Sequence, residues 1–311
     1  MASNSPGNTT DTRHNFSLLL SKWIIPMSLF SFLCVTALVV NSFLLFVIWK
    51  DPKKCLRTRP TFFITNLIIA DFVGALFNIT RFAYRYFVQE FGNGQTTTAF
   101  EKPVIVLGYA ALLVSYMTVF LISMEHLGAI ASPLKFKVMV TKRVIAWTIG
   151  LTWLLGMTLT ILLYTIPEHH QVFHAITAIH GLLLITLPTA YTFAYLSLKR
   201  QLKEVFGMDN SSTGNAASKQ KRILQQKNFL ISSAGIVLFS LVTCAPFAFH
   251  NYEQFSKDIH YNLYRNGDEL GMIFWIILNL NLCTDPFIYC LRIPQYRNSC
   301  AVLLCGTRRQ T

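Results

Sequence analysis

Residues 103–131 read PVIVLGYAALLVSYMTVFLISMEHLGAIA, and from Pro103 to Met124 the run contains no Asp, Glu, Lys or Arg. At about 1.5 Å of rise per residue, a helix of this length crosses the roughly 30 Å hydrocarbon core of a bilayer. Working outward, six further stretches satisfy the same test, near 23–49, 61–87, 143–166, 173–198, 228–252 and 270–291. The second and fifth are the least uniform, since one ends with Arg81 and Arg85 and the other begins with His174 and His180. Composition agrees: 53% of the chain is hydrophobic and 13% charged, where soluble proteins carry about a quarter charged residues. The expected fold is therefore an all-α integral membrane bundle of seven helices. Residues 1–22 form an outer tail, 23–291 the seven-helix domain, and 292–311 a short amphipathic eighth helix with a cytoplasmic tail. No cleavable signal pattern precedes the first stretch, which is expected to act as an uncleaved anchor.

Charge orients the bundle. Loops 50–60 and 132–143, the 199–227 loop and the tail after 291 hold 20 of the 27 basic residues against three acids, Asp51, Glu204 and Asp209, with Glu125 a fourth at the inner end of the third stretch. Excess Lys and Arg mark the cytoplasmic side, so the N-terminus is expected outside and the chain in the plasma membrane. The net charge of +13 then describes an inner face suited to anionic lipid and a protein partner, not to nucleic acid. Sequons at Asn8 and Asn15 fall in the outer tail, where glycosylation is possible, whereas those at Asn78 and Asn210 fall in a helix and an inner loop. Residues 208–218, rich in Asn, Ser, Thr and Gly, read as a loop tip.

Ionisable groups at mid-membrane depth cost about 2.5–3.5 kcal/mol even on lenient scales, and so mark candidate functional sites. Asp71 and Asp285 are the clear cases, with Ser115, Asn41 and Asn281 at similar depth. Oxygen ligands of this kind suit a small hard cation such as sodium, the one non-protein group expected; no other cofactor is indicated. The alternatives are a proton shared between two carboxyls that cannot both ionise cheaply, or plain interhelical hydrogen bonding. Pro188, Pro246 and Pro286 each interrupt an apolar run and mark bends, while Pro26 is expected in the first turn of its helix.

These motifs, taken in order, resemble those of class A (rhodopsin-like) G-protein-coupled receptors over roughly residues 30–297. Val40-Asn41-Ser42 and Asn66-Leu67-Ile68-Ile69-Ala70-Asp71 are similar to the first- and second-helix motifs. Ser115, Glu125-His126-Leu127, Trp153, Pro188, Thr243-Cys244-Ala245-Pro246, Asp285-Pro286-Phe287-Ile288-Tyr289 and Tyr296 are similar to those that follow. The resemblance implies a receptor that binds an extracellular small-molecule, lipid or peptide ligand and engages a heterotrimeric G protein, with Glu125, His126, Cys244, Pro246 and Tyr289 in activation and coupling. It implies a ligand pocket that includes Arg81, Tyr109, His180, Phe247, Asn251 and Trp275, and acylation at Cys300 or Cys305 beside membrane lipids. It implies no enzymatic activity.

The departures from the pattern are specific. His126 stands where the family has arginine and lacks its bidentate fork. Cys244 replaces a bulky tryptophan. None of the seven cysteines lies in an outer loop, so the usual outer disulfide is not expected; this and the Asp before Pro286 resemble melanocortin-type receptors, which however lack the fifth-helix proline. Gly108 in place of an aspartate argues against a biogenic amine, and a seventh helix without lysine against retinal. Two other readings stay open at this stage. One is a seven-helix proton or cation transporter using Asp71 and Asp285, the other a receptor-like protein that does not signal by itself.

Overall fold

Where the lipid-length apolar runs stop, the helices do not always stop with them. The computed structural model describes residues 9–91, 98–131, 136, 138–165, 170–207, 224, 227, 230–231, 234–235, 237–250, 253 and 269–305, with side chains for most of these. Its helices are α1 (Thr9–Lys50), α2 (Arg59–Phe91), α3 (Thr98–Ala131), α4 (Lys142–Thr165) and α5 (His170–Gly207). They continue with α6 (Val237–His250), α7 (Glu269–Arg292) and α8 (Pro294–Cys305). Among the described residues there is no strand. Five segments are long and apolar enough to span a membrane: Ile25–Lys50, Arg59–Tyr84, Ala99–Ile130, Lys142–Leu163 and Met272–Leu291. With α5 and α6 they make the seven-helix bundle, and α8 is the short eighth helix.

α1 begins at Thr9, so Pro26 lies well inside it and not in its first turn as expected. The expectation equated the start of the apolar run with the start of the helix, but the mixed segment Thr9–Lys22 belongs to the same helix. Pro188, Pro246 and Pro286 are interior to α5, α6 and α7, as expected.

The α1–α2 turn depends on one acid. Asp51 is buried and adopts φ 39°, in the left-handed region that Asp tolerates better than most residues. Its Oδ1 accepts hydrogen bonds from the backbone N–H of Cys55 (2.9 Å) and of Leu56 (3.1 Å). The Lys54 N–H donates to the Asp51 carbonyl at 2.9 Å, with Lys54 itself at φ 50°. The Arg57 Nε lies 3.8 Å from Asp51 Oδ2 with the arginine 88% exposed; such an exposed pair adds little.

Packing follows a membrane pattern, with large apolar side chains facing outward as well as inward. Trp147 is 74% exposed, and Leu151, Leu154, Leu182, Ile185, Leu238 and Val242 are exposed too, which is the surface expected where lipid is the solvent. Inside, helices approach closely where side chains are small. A Cβ on Gly156 of α4 would stand 2.9 Å from Val114 Cγ2 and 3.3 Å from the Ala110 carbonyl oxygen of α3, so glycine is what lets α4 lie against α3.

Two large apolar clusters fill most of the interior, and a small third one gathers Ile130 of α3 with Ala194 and Leu198 of α5. One of the large clusters joins Leu44 and Val47 of α1, Ile64 and Ile68 of α2, Val119 and Ile122 of α3, and Tyr289 of α7. The other joins Phe30 and Ala37 of α1, Ala75 of α2, Leu112 of α3, Cys244 of α6, and Trp275 and Leu282 of α7. Asn41 of α1, Asp71 of α2 and Asp285 of α7 are buried between the two clusters along their helices, and on α3 Ser115 and Thr118 flank Tyr116 near the same boundary. A polar layer thus crosses the middle of an otherwise apolar interior.

Candidate functional site

Asp71 is the centre of that layer. It is fully buried, and its Oδ1 accepts a 2.7 Å hydrogen bond from Ser115 Oγ. The equally buried Asp285 of α7 interacts with it electrostatically. Asn41 Nδ2 donates to the carbonyls of Ala37 (2.8 Å) and Leu282 (2.7 Å), tying α1 to α7. Asn281 Nδ2 donates to the Tyr116 hydroxyl (3.1 Å) and to Thr243 Oγ1 (2.6 Å), tying α7 to α3 and α6. Thr243 in turn donates to the Phe239 carbonyl. Proline at 246 has no N–H to give the Val242 carbonyl, and α6 and α7 meet here through side chains.

Four oxygen atoms in the layer are buried and accept no hydrogen bond from the described residues: Asp71 Oδ2, Asp285 Oδ1, Asn281 Oδ1 and Asn41 Oδ1. Buried polar atoms are nearly always satisfied. Two carboxylates with amide and hydroxyl oxygens form a donor set for a small hard cation, since such ions take oxygen ligands. Thiolates and imidazoles, which softer metals need, do not gather: among the described residues no group of three or more His, Cys, Asp and Glu side chains could hold a metal ion. The residues therefore fit sodium, or a proton held between the carboxyls.

A second polar tie lies nearer the other cluster. Trp153 Nε1 of α4 donates to Asn66 Oδ1 at 2.9 Å, and Asn66 Nδ2 donates to Thr118 Oγ1 at 2.7 Å. One amide thus joins α2, α3 and α4. Towards the opposite end, Asn78 Nδ2 donates to Asn279 Oδ1 (2.8 Å), and Asn279 Nδ2 to the Trp275 carbonyl (2.7 Å). Sequence reasoning treated Trp153 only as a motif match and Asn78 only as a sequon out of reach. The usable signal was the isolated amide in an apolar run, which must find a partner.

Of the six ligand-binding candidates, three come together. The ring of Trp275, 2% exposed, lies 5.1 Å from Tyr109 and 5.3 Å from Phe247, centroid to centroid, both tilted. These distances fall in the favourable range for aromatic pairs, and the stack joins α3, α6 and α7. Arg81 is half-buried on α2. Asn251 lies outside the described residues, and so does the side chain of His180 within α5.

At the other end, Glu125 and His126 are buried. The His126 ring turns back on its own helix, its Nδ1–H donating to the Ile122 carbonyl. Ser123 Oγ donates to the Tyr191 hydroxyl at 3.3 Å, joining α3 to α5. Tyr289 is 1% exposed and its hydroxyl makes no hydrogen bond. Cys244 is buried against the Tyr116 hydroxyl, and Pro246, two residues on, is half-buried. Cys300 is buried; Asn8, the side chains of Asn15 and Cys305, and the loop 208–218 lie outside what is described.

The order of these residues along seven apolar helices has a counterpart among known proteins. The family described as "7 transmembrane receptor (rhodopsin family)" matches residues 40–289. The chain belongs to the rhodopsin family of seven-transmembrane receptors. Among its curated relatives, this receptor is 23% identical to "G-protein coupled receptor 183-A" of Danio rerio, over 91% of this chain and 80% of that protein. It is 22% identical to "Probable G-protein coupled receptor tkr-1" of Caenorhabditis elegans, over 86% of this chain and 68% of that one. The receptor is a multi-pass membrane protein, and its function is G-protein-coupled signalling.

Proposed function

We propose that this receptor lies in the plasma membrane with its N-terminus outside, takes an extracellular ligand above the Tyr109–Trp275–Phe247 stack, and admits a heterotrimeric G protein at its basic inner face. The observation that supports it best is the interior polar layer, where α1, α2, α3, α6 and α7 are joined by side-chain hydrogen bonds between two apolar clusters. Such a layer has two usable arrangements. A ligand that binds better to one of them shifts the population, and the shift reaches the inner end without any covalent chemistry. Arg81 offers a cation for a carboxylate or phosphate on the ligand, with His180 and Asn251 as further lining groups.

A sodium ion, or a proton, at Asp71 and Asp285 stabilises the resting arrangement in this reading. Asn8 and Asn15 carry glycans on the outer tail. Acylation falls to Cys305, since the Cys300 thiol is buried beside Cys290. Membrane lipids meet the basic inner loops. Ligand class is tested by screening small molecules, lipids and peptides on cells that express the receptor with a promiscuous G-protein reporter. A ligand whose response disappears on Trp275→Ala, while surface expression persists, supports the pocket. A ligand whose response is indifferent to Trp275, Tyr109 and Phe247 alike places the pocket elsewhere.

A further inference from the structure

Cys290, in the last turns of α7, and Cys300, in α8, bring their sulfurs to 3.3 Å. The corner between the two helices is firmly built. The Ile293 N–H donates to the Tyr289 carbonyl at 3.1 Å and the Arg297 N–H to the Ile293 carbonyl at 3.0 Å, so hydrogen bonding runs on through the bend. Tyr296 donates to Thr61 Oγ1 at 3.2 Å, fastening α8 to α2. Ile293, Tyr296 and Cys300 are buried in one apolar cluster with Cys290 packed against it. The two sulfurs are therefore held together by the fold, and a disulfide, at about 2.05 Å between sulfurs, needs an approach of only about 1 Å more.

We infer that Cys290 and Cys300 form a reversible dithiol–disulfide pair that staples α8 to α7. The oxidant is hydrogen peroxide. The Cys300 thiolate attacks one peroxide oxygen, the O–O bond breaks, and hydroxide leaves to become water, giving a sulfenic acid. The Cys290 thiol then attacks that sulfur, the S–O bond breaks, and the hydroxyl leaves with the thiol proton as a second water. Two thiols and one peroxide give one disulfide and two waters, with two electrons passing from sulfur to oxygen. Thiol–disulfide exchange with a reducing dithiol restores the pair. A hydrogen bond from Cys290 holds the Cys300 thiol below the usual cysteine range, which favours its thiolate as the attacking group. While the staple is closed, α8 cannot swing away from α7.

A third thiol is near: Cys55 Sγ lies 3.8 Å from the hydroxyl of Ser299, next to Cys300 in sequence. The test must separate the two pairings. Full-length receptor in lipid nanodiscs is reduced, exposed to graded hydrogen peroxide, quenched with N-ethylmaleimide, digested and read by mass spectrometry. The expected product is one intramolecular cross-link between residues 290 and 300, reversed by dithiothreitol, retained in Cys55→Ser and lost in Cys290→Ser. Thermal unfolding of each variant confirms that it is folded, and the wild-type result stands without them. The proposal is overturned if Cys300 is recovered as a fatty thioester, if the cross-link joins Cys55 instead, or if both sulfurs are recovered only as separate adducts. The measurement reads no signalling, so it is independent of how the receptor couples.

Discussion

Asp71 satisfies one carboxylate oxygen with Ser115 and leaves the other without a hydrogen bond in a site sealed from water. If a sodium ion fills that gap, its binding to the folded state alone stabilises the receptor by mass action. Replacing choline by sodium at constant ionic strength should raise the midpoint of thermal unfolding, and Asp71→Asn should abolish the shift. Superimposable wild-type curves in the two salts remove the cation and leave the shared proton. Asn66 makes a simpler case. Trp153→Phe keeps an aromatic ring but removes the donor to Asn66 Oδ1, leaving a buried acceptor unpaired at a cost of about 1–3 kcal/mol. A drop in thermal midpoint is expected, and an unchanged midpoint means that the α2–α4 tie carries no stability.

Depth in the membrane was legible at these residues, and partners mostly were not. Asp71, Ser115, Asn41 and Asp285 each interrupt an apolar run away from its ends, which is enough to put them at membrane depth. Which of them touch depends on how each helix is rotated. α3 is buried on most of its faces from Ala110 to Val119, so periodicity cannot give that rotation. This is why the Asn281–Thr243–Tyr116 and Asn66–Trp153–Thr118 ties had to be seen in three dimensions.

At the scale of elements, helix limits show the same division. The apolar runs predicted the membrane-length segments, but α1 begins at Thr9 and α5 continues to Gly207, because a helix with satisfied backbone bonds has no need to end where lipid does. Turns answer to local chemistry. Asp51 was counted as an inner acid, yet its carboxylate caps two backbone N–H groups and its backbone takes a left-handed conformation. Asp51→Ala removes the Oδ1 that accepts both hydrogen bonds and should lower stability by about 1–3 kcal/mol. Asp51→Asn keeps one side-chain oxygen and tolerates the same φ, so it should cost clearly less. Equal losses in chemical unfolding of the two variants mean that charge, not hydrogen bonding, holds the α1–α2 turn.

For the whole molecule, the scaffold is that of the rhodopsin family, and its distinctive chemistry lies at three replacements. Cys244 stands in α6 where a tryptophan is usual, and aromatic bulk comes instead from Trp275 of α7, between Tyr109 and Phe247. Asp285 places a second carboxylate in the polar layer. His126 folds onto Ile122, where an arginine would carry a permanent charge and a five-donor fork. The first two replacements leave the helix ties intact; the third, in the proposed reading, removes a group suited to an incoming G protein.

That contrast sets the decisive measurement: guanine-nucleotide exchange on purified heterotrimers of each class, catalysed by the receptor in lipid nanodiscs, with wild type and His126→Arg compared. The account predicts exchange above the receptor-free rate, faster with His126→Arg than with wild type on at least one heterotrimer. Exchange at the receptor-free rate for both forms on every heterotrimer, with and without ligands found by screening, would contradict it.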